Sequence, residues 1–181
     1  MNVGFIGKLG SGKTFAANHL VEEYGFKKIS LATPIKEIMK EYFNIIDKTD
    51  PRYRKLAQKL GTEWFRSEDN DVWVNYMIKK AKQSDSYLVC DDIRFVNEAT
   101  KLLNNNWTLF YLDCPTQIRI DRCRKRDGVF DYGTLNHPSE TGVDDILKKF
   151  TVITIDASDT IENTNSAIDT WMNVLLKDNL K

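Results

Sequence analysis

GKLGSGKT, residues 7–14, decides the fold expected for this chain of 181 residues. The stretch fits the pattern of a glycine, any four residues, a second glycine, lysine, and serine or threonine. An apolar run, VGFI, stands directly before it, and a helical pattern, TFAANHLVEEY, begins within it. A glycine-rich turn between a strand and a helix directs backbone N–H groups and the helix N-terminus at a phosphate. The sequence therefore predicts a phosphate-binding loop (P-loop) at the first strand–helix junction.

Each part of this loop has an expected task at a donor nucleotide. The glycines allow a tight turn and a close approach of the backbone to the phosphates. Lys13 is expected to reach the β- and γ-phosphates, and the Thr14 hydroxyl to ligate magnesium. A P-loop alone does not separate a GTPase, an ATPase motor and a small-molecule kinase. The residues predicted to bind the nucleotide here are Gly7, Lys8, Leu9, Gly10, Ser11, Gly12, Lys13 and Thr14.

Composition excludes several classes of protein. Lysine and arginine together number 26, as do aspartate and glutamate, and this balance argues against a protein that coats nucleic acid or an anionic membrane. No apolar run approaches the length needed to cross a bilayer, and no cleavage-site pattern follows the N-terminus. We therefore expect a soluble, cytoplasmic protein. Its cysteines, which lack metal-ligand spacing, are expected to be free thiols: Cys90, Cys114 and Cys123.

Short apolar runs alternate with helical patterns along the chain. Most of these runs are apolar throughout, which is typical of a parallel sheet buried on both faces. The sequence predicts one domain, residues 1–181, with a three-layer α/β/α fold whose ligands lie at the carboxyl ends of the strands. The predicted strands of its five-stranded parallel sheet are 3–6, 27–30, 87–90, 107–112 and 152–155. The predicted helices are 13–24, 34–43, 52–65, 71–84, 94–105, 115–126 and 159–177.

Two segments interrupt the strand–helix rhythm. About three helices follow one another between the second and third strands, over residues 34–84. Between the fourth and fifth strands, residues 115–142 comprise a basic helix and the irregular stretch DGVFDYGTLNHPSETG. Insertions of this length are often lids or binding lobes. We therefore predict a helical substrate-binding insertion and a short lid that carries arginines.

The third strand ends in DDIR, residues 91–94. A carboxylate beside the P-loop can join the magnesium shell or accept a proton, and a nearby arginine can hold a second phosphate with two hydrogen bonds. Strand alternation turns Asp91 away from the loop, so the sequence favours Asp92 for the first role and Arg94 for the second. The alternative is a solvated ion pair at the end of the strand.

The basic helix TQIRIDRCRKRDG carries four arginines. At about 100° per residue, Arg119, Arg122 and Arg126 fall within a narrow arc, whereas Arg124 points to the opposite side. A run of charges is usually a solvated face. Beside a P-loop, however, converging arginines can neutralise the phosphoryl group during transfer, so these three are predicted to be catalytic.

The first insertion offers candidates for binding an acceptor. Gln58 could hydrogen-bond to a base edge, and Gly61, on the same helical face, could admit a planar ring. Each candidate is weak by itself, because lysine and glutamine on helices are usually solvated. The predicted acceptor-binding residues of the insertion are Lys36, Arg54, Gln58, Gly61, Thr62 and Arg66.

Six stretches together resemble a known family. GKLGSGKT, LATPIKE, RKLAQKLGTEWFR, DDIRFVNEA, HPSETG and VITID follow one another as in the deoxynucleoside monophosphate kinases of tailed bacteriophages. The resemblance covers nearly the whole chain. It implies ATP and Mg²⁺ as cofactors and transfer of the γ-phosphate to a deoxynucleoside 5′-monophosphate (dNMP). It also implies a location in the host cytoplasm if the chain is phage-encoded, with no nucleic acid or membrane partner, and leaves a homodimer open.

Individual residues match motifs of that family. Asp92, as a metal ligand, and Arg94 match its Asp-x-Arg, while Ser139 and Glu140 match a Ser-Glu pair after the lid. Glu140 is expected to orient a lid arginine or a magnesium-bound water, and His137 to shape the loop. The resemblance assigns the donor base to the segment Asp156, Ala157 and Ser158, which lacks the asparagine–glycine character common in relatives.

Two other functions fit parts of this pattern. Animal-type phosphomevalonate kinases share the P-loop, an Asp-x-Arg and a Ser-Glu pair. A mevalonate phosphate needs no group that reads a base, so the LGTE segment with Gln58 favours a nucleotide. A nucleotide-binding switch without a second substrate would not require Arg94 and the lid arginines.

Overall fold

The computed structural model describes residues 1–47 and 50–178. Within them, five strands form one parallel sheet in the order β2-β3-β1-β4-β5, which confirms the predicted five-stranded parallel sheet. The strands are β1 (Asn2–Ile6), β2 (Lys27–Lys28), β3 (Leu88–Ile93), β4 (Trp107–Asp113) and β5 (Ile153–Asp156). The α-helices are α1 (Lys13–Tyr24), α2 (Thr33–Phe43), α3 (Tyr53–Gln58), α4 (Phe65–Glu68), α5 (Val72–Ala81), α6 (Val96–Leu103), α7 (Thr116–Asp127), α8 (Pro138–Lys149) and α9 (Ile161–Asp178).

Helices cover both faces of the sheet, as the uniformly apolar strands predict. On one face, α1 and α9 pack against Val3 and Phe5 of the central strand β1. On the other, α5, α6 and α8 pack around Ile6. Gly4 lies on this second face, where a Cβ atom would stand 2.3 Å from Ile93 Cδ1 and 2.7 Å from Leu109 Cδ2. The three-layer α/β/α architecture is confirmed, and it leaves the P-loop at the carboxyl edge of the sheet.

Helix α8 is absent from the sequence prediction, which treats its first residues as irregular. Pro138 occupies the first turn, where proline has no hydrogen bond to lose, and the preceding His137 ring accepts from the Ser139 N–H through Nδ1. Val143 and Ile146 are fully buried and tie the helix to the core. The segment between α7 and α8 is therefore short, and it includes a 3-10 helix over Tyr132–Asn136.

The first insertion contains a rare π-helix, Lys59–Trp64, between α3 and α4. The sequence predicts one continuous helix over 52–65, and the structure divides that stretch. At the wider turn, the Gly61 carbonyl accepts a hydrogen bond from the buried Trp73 Nε1 at 2.9 Å. Met39, Ile45 and Leu60 form a small separate core for this lobe.

Two further predictions from the sequence concern membrane spans and the state of the cysteines. Among the described residues, no helix is both long and apolar enough to cross a membrane. Cys90, Cys114 and Cys123 are buried free thiols, as predicted.

Candidate active site

The P-loop connects β1 to α1 at the carboxyl edge of the sheet. Gly10 and Gly12 have φ angles of +82° and +97°, a left-handed region that favours glycine. A Cβ atom on Gly10 would stand 2.6 Å from the carbonyl oxygen of Arg119, so the loop lies directly against α7. The backbone thus turns as the glycine spacing predicts.

The residues of this loop fit a bound phosphate chain. A Cβ atom added to Gly12, at the start of α1, would meet nothing within 4 Å. Ser11 Oγ is buried and has no hydrogen-bond partner among the described residues. The Lys13 ammonium donates to the carbonyl oxygens of Gly7 at 2.5 Å and Lys8 at 3.0 Å. An ammonium and an unpaired hydroxyl at a helix N-terminus are the groups that an anionic ligand would engage.

Lys13 occupies an unusual electrostatic environment. Burial, followed by the positive charge of Arg94, lowers the pKa of Lys13 to about 8. Glu140 and Asp91 raise this pKa, and Arg119 lowers it further. The P-loop lysine therefore shares one site with a cation from β3 and another from α7.

Asp91, rather than Asp92, faces the P-loop, which corrects the prediction from strand alternation. Asp91 Oδ2 accepts a hydrogen bond from Thr14 Oγ1 at 2.9 Å and pairs with Lys28 Nζ at 2.7 Å. Asp92 instead accepts from Ser30 Oγ at 2.6 Å and from backbone N–H groups of the following loop.

Side chains alternate regularly along β3 up to both aspartates. Val89 packs on the face of the sheet that α1 covers, and Asp91 follows it two residues later, whereas Cys90 lies on the other face and its Sγ donates to Asp92 Oδ1 at 3.0 Å. Gly4 pairs with Cys90, but Ile6 pairs with Ile93, so β3 contains one residue more than β1 over this interval. This extra residue reverses the alternation only beyond Asp92, so that Ile93 lies on the same face as Cys90. The structure also extends β3 through Ile93, three residues beyond the predicted strand.

The Thr14–Asp91 pair fits a hard divalent cation. Magnesium prefers oxygen ligands and usually keeps several waters beside one or two carboxylates and the substrate phosphates. Within residues 1–47 and 50–178, no group of three His, Cys, Asp or Glu side chains could hold a metal alone. A hydroxyl and a carboxylate 2.9 Å apart beside the P-loop supply oxygen atoms for a metal held mainly by phosphates.

The three predicted lid arginines do not converge, and each has a different environment. Arg119 is only 4% exposed and donates to the carbonyl oxygens of Leu9 at 3.0 Å and Cys114 at 3.1 Å. Arg126 is exposed and pairs with Asp127. The prediction of one catalytic cluster is therefore wrong for Arg126, whereas Arg119 contacts the P-loop itself.

Arg122 binds the loop between β5 and α9. Its guanidinium donates to the carbonyl oxygens of Ala157 at 2.8 Å and Asp159 at 2.6 Å. This loop is also fixed from within, because the Ala157 N–H donates to the Asp113 carbonyl and Asp156 Oδ1 accepts from the Ser158 N–H. The segment that the family resemblance assigns to the donor base is therefore held by α7.

Glu140, on helix α8, contacts the P-loop and lies near both Arg119 and Arg94. Its side chain is buried, and its Oε2 accepts a hydrogen bond from the Leu9 N–H at 2.8 Å. The same oxygen lies 3.7 Å from Arg119 Nη1, and Oε1 lies 3.8 Å from Arg94 Nη1. Arg94 also donates to Ser139 Oγ at 2.9 Å. The expectation that Glu140 orients an arginine agrees with these contacts.

Glu98 is a residue that the sequence reasoning missed. It is 2% exposed, accepts hydrogen bonds from the N–H groups of Arg94 and Phe95, and pairs with Arg66 Nη2 at 2.7 Å. Burial raises the pKa of Glu98, against hydrogen bonds that favour its charged form. A glutamate at the third position of a helix signals such a cap, and this signal was present in RFVNE.

Two acceptor candidates of the first insertion, Gly61 and Arg66, contact each other within the lobe. Arg66 donates to Glu98 and to the carbonyl oxygens of Gly61 and Asn70, and these contacts hold the lobe together. Its binding of an acceptor stays a prediction. Gly61 is buried, whereas Lys36 and Gln58 are exposed on the lobe. The predictions for the side chains of Arg54 and Thr62 lie outside the described residues.

The chain is similar in sequence to known proteins. The sequence profile of a family described as an AAA domain matches residues 3–129. A "Putative deoxynucleotide monophosphate kinase" of Acanthamoeba polyphaga mimivirus is 28% identical over 142 residues, which cover 62% of this chain and 74% of that protein.

Two solved structures share the fold over nearly the whole chain. A sugar kinase from Janibacter sp. HTCC2649 has a TM-score of 0.58 at 20% identity, covering 95% of this chain and 94% of that one. Shikimate kinase from Aquifex aeolicus vf5 has a TM-score of 0.54 at 15% identity, covering 99% of both chains. The chain therefore shares the fold of these two structures.

Proposed function

We propose that this chain, which belongs to the AAA domain family and has the fold of P-loop kinases, transfers the γ-phosphate of ATP to a dNMP. One observation carries the proposal. Arg94, directly after β3, is connected to the P-loop through Glu140, whose Oε1 lies 3.8 Å from Arg94 Nη1 and whose Oε2 accepts from the Leu9 N–H, and its charge lowers the pKa of Lys13. A second cation opposite the P-loop lysine suits an acceptor that is itself anionic.

The environment of Arg94 supports contact with an incoming ligand. Its side chain is 38% exposed, and Ser139 and Glu140 hold the Nη1 side of its guanidinium. Its backbone N–H is fixed by the buried Glu98. A guanidinium that is held on one side and exposed to solvent can receive a phosphate with two parallel hydrogen bonds.

Different residues of this chain bind the donor, the metal ion and the acceptor. Lys13 and the P-loop N–H groups bind the donor phosphates, and Thr14 with Asp91 would hold Mg²⁺, which supplies charge neutralisation on the β- and γ-phosphates when bound. Arg119, fixed against Leu9, places positive charge beside the loop. Arg94 positions the acceptor.

Transfer needs little acid–base catalysis from the protein. An oxygen of the acceptor phosphate bonds to the γ-phosphorus while the bond from that phosphorus to the β–γ bridging oxygen breaks, leaving ADP and a deoxynucleoside diphosphate. The acceptor oxygen is already anionic, so no residue has to remove its proton. Rate enhancement then depends on positioning, charge neutralisation and exclusion of water.

The choice of a dNMP as acceptor rests on sequence similarity. The order of motifs resembles that of phage deoxynucleoside monophosphate kinases, and the mimivirus relative is named for the same class of reaction. The solved structures in the comparison instead include a sugar kinase and a shikimate kinase, whose acceptors carry no nucleobase. The experiment has to separate these classes of acceptor.

A coupled assay of ADP formation with MgATP tests the proposal. The four common dNMPs, 5-phosphomevalonate and shikimate are each supplied as the acceptor. We expect turnover with at least one dNMP and none with shikimate. Turnover with 5-phosphomevalonate alone would contradict the proposed acceptor, and ADP formation that no acceptor accelerates would contradict the kinase assignment.

An Arg94→Ala variant provides the matched control for the acceptor site. We expect its KM for the dNMP to rise and its kcat to fall, while its affinity for MgATP stays within about threefold of wild type, because one positioned charge is lost on the acceptor side. Unchanged KM and kcat would contradict the role given to Arg94.

A further inference from the structure

Glu140 occupies a position that phosphate binding alone does not require. It is a buried carboxylate, 4% exposed, in a site whose ligands are anionic. A negative charge there repels anionic ligands, because charges act strongly on one another at low solvent exposure. Its presence therefore calls for a separate task. The contacts of Glu140 indicate what that task is.

The two carboxylate oxygens of Glu140 point to different halves of the site. Oε2 accepts from the P-loop N–H of Leu9 at 2.8 Å and lies 3.7 Å from Arg119 Nη1, on the donor side. Oε1 lies 3.8 Å from Arg94 Nη1, on the acceptor side. Among the described residues, Glu140 is the one carboxylate within 4 Å of both guanidinium groups.

We propose that Glu140 is a positioning residue that couples the donor-phosphate site to the acceptor-phosphate site. The inference rests on the proposed function in requiring a phosphorylated acceptor. The Leu9 N–H holds the Glu140 carboxylate against the P-loop, and MgATP bound on this loop stabilises that arrangement. The fixed carboxylate in turn holds Arg94 in the orientation that receives the second phosphate. Once the donor is bound, Arg94 is already ordered, so binding of the acceptor costs less conformational entropy.

Its neighbour Asp144 provides a matched comparison. Asp144 lies one turn further along α8 and pairs with Lys8 Nζ at 2.7 Å, so it also joins this helix to the P-loop. Its ion pair is with Lys8 and involves neither Arg94 nor Arg119. Loss of Asp144 therefore weakens the contact between α8 and the P-loop without removing the bridge between the two arginines.

Calorimetric titration measures the coupling directly. The Kd of the dNMP that is turned over is determined with and without saturating AMP-PNP and Mg²⁺. The ratio of the two values is compared for wild type, Glu140→Gln and Asp144→Asn. Glutamine keeps the size of Glu140 and an oxygen for the Leu9 N–H, but it removes the negative charge.

We expect AMP-PNP to tighten dNMP binding to the wild type by about tenfold, and this ratio to fall to within about twofold of one in Glu140→Gln. Asp144→Asn should keep most of the wild-type ratio. A Glu140→Gln ratio equal to that of wild type would overturn the proposal, as would a wild-type ratio of one. If the role of Glu140 were purely structural, Glu140→Gln would bind both substrates more weakly, but the ratio of the two dNMP Kd values would not change.

A second variant, Arg94→Lys, tests the same coupling if Glu140→Gln does not fold. Arg94→Lys keeps a positive charge for the acceptor but shortens the reach toward Glu140, and because the Arg94 side chain is 38% exposed, the change leaves no buried cavity. It should lose the coupling in the same way, and retention of the full ratio would contradict the proposal.

Failure of the inference can be distinguished from failure of the proposed function. Wild-type turnover of dNMPs, measured first, tests the function alone. If 5-phosphomevalonate were turned over instead, the dNMP assignment would fall and the same ratio would be measured with that acceptor.

Discussion

The lowered pKa of Lys13 predicts that donor binding weakens as the pH rises above neutrality. Burial and the charge of Arg94 lower this pKa to about 8 in the ligand-free protein. Above that pH the amine is mainly neutral, whereas the phosphates of ATP favour its charged form. ATP binding above pH 8 must therefore take up a proton, and the uptake costs affinity.

The size of the effect follows from this pKa. The charged fraction of Lys13 falls from about nine tenths at pH 7 to about one tenth at pH 9, so the Kd of MgATP should rise about tenfold over that range. A rise of this size in the Kd of MgATP requires that the pKa of Lys13 in the complex return to its ordinary range, near 10.4. Titration calorimetry in buffers of different ionisation enthalpy measures both Kd and proton uptake.

A Lys13→Arg variant serves as the control, because a guanidinium stays charged throughout this range. Its affinity for MgATP is expected to be lower at pH 7 but nearly independent of pH up to 9. A wild-type Kd that stays constant from pH 7 to pH 9, with no proton uptake at pH 9, would refute the reasoning about Lys13.

Three substitutions test other parts of the site. Asp91→Asn keeps an oxygen that can accept from Thr14 but removes the charge; titration of activity with Mg²⁺ should show an apparent affinity about tenfold weaker. Arg122→Ala removes the hydrogen bonds to the Ala157 and Asp159 carbonyls, so initial rates should show KM for ATP raised about tenfold and KM for the acceptor unchanged. An equal rise in both KM values would argue against a donor-side role. Gly142→Ala places a Cβ atom 2.5 Å from the Arg94 carbonyl, and urea denaturation should show the free energy of unfolding lowered by about 1–3 kcal/mol. Unchanged stability would mean that α8 shifts at no cost.

The contrast between Asp91 and Asp92 shows where sequence reasoning reached its limit. The apolar run before DDIR correctly predicted a buried strand at the centre of the site. The sequence favoured Asp92 because it does not reveal which face of β3 lies toward α1. That face carries Val89 and Asp91, whereas Cys90 and Asp92 lie on the other. Alternation is a property of the strand itself, and the packing of α1 against the sheet decides which of the two alternating sets of side chains faces the P-loop.

The basic helix shows a second limit. The period of 3.6 residues places Arg119, Arg122 and Arg126 on one side of α7. Seven residues of helix also span about 10 Å, so side chains on one face need not reach the same ligand. Arg119 lies against the P-loop, whereas Arg126 pairs with Asp127 in solvent.

The sequence by itself determined the P-loop, the parallel sheet and the edge of the sheet at which the site lies. These features depend on local patterns, since glycine spacing, uniformly apolar strands and helix periodicity act over a few residues. Tertiary structure alone decided that Asp91 faces Thr14 and that Glu140 lies between Arg94 and Arg119. Such contacts join residues far apart in the chain, and their geometry follows from strand register and helix packing.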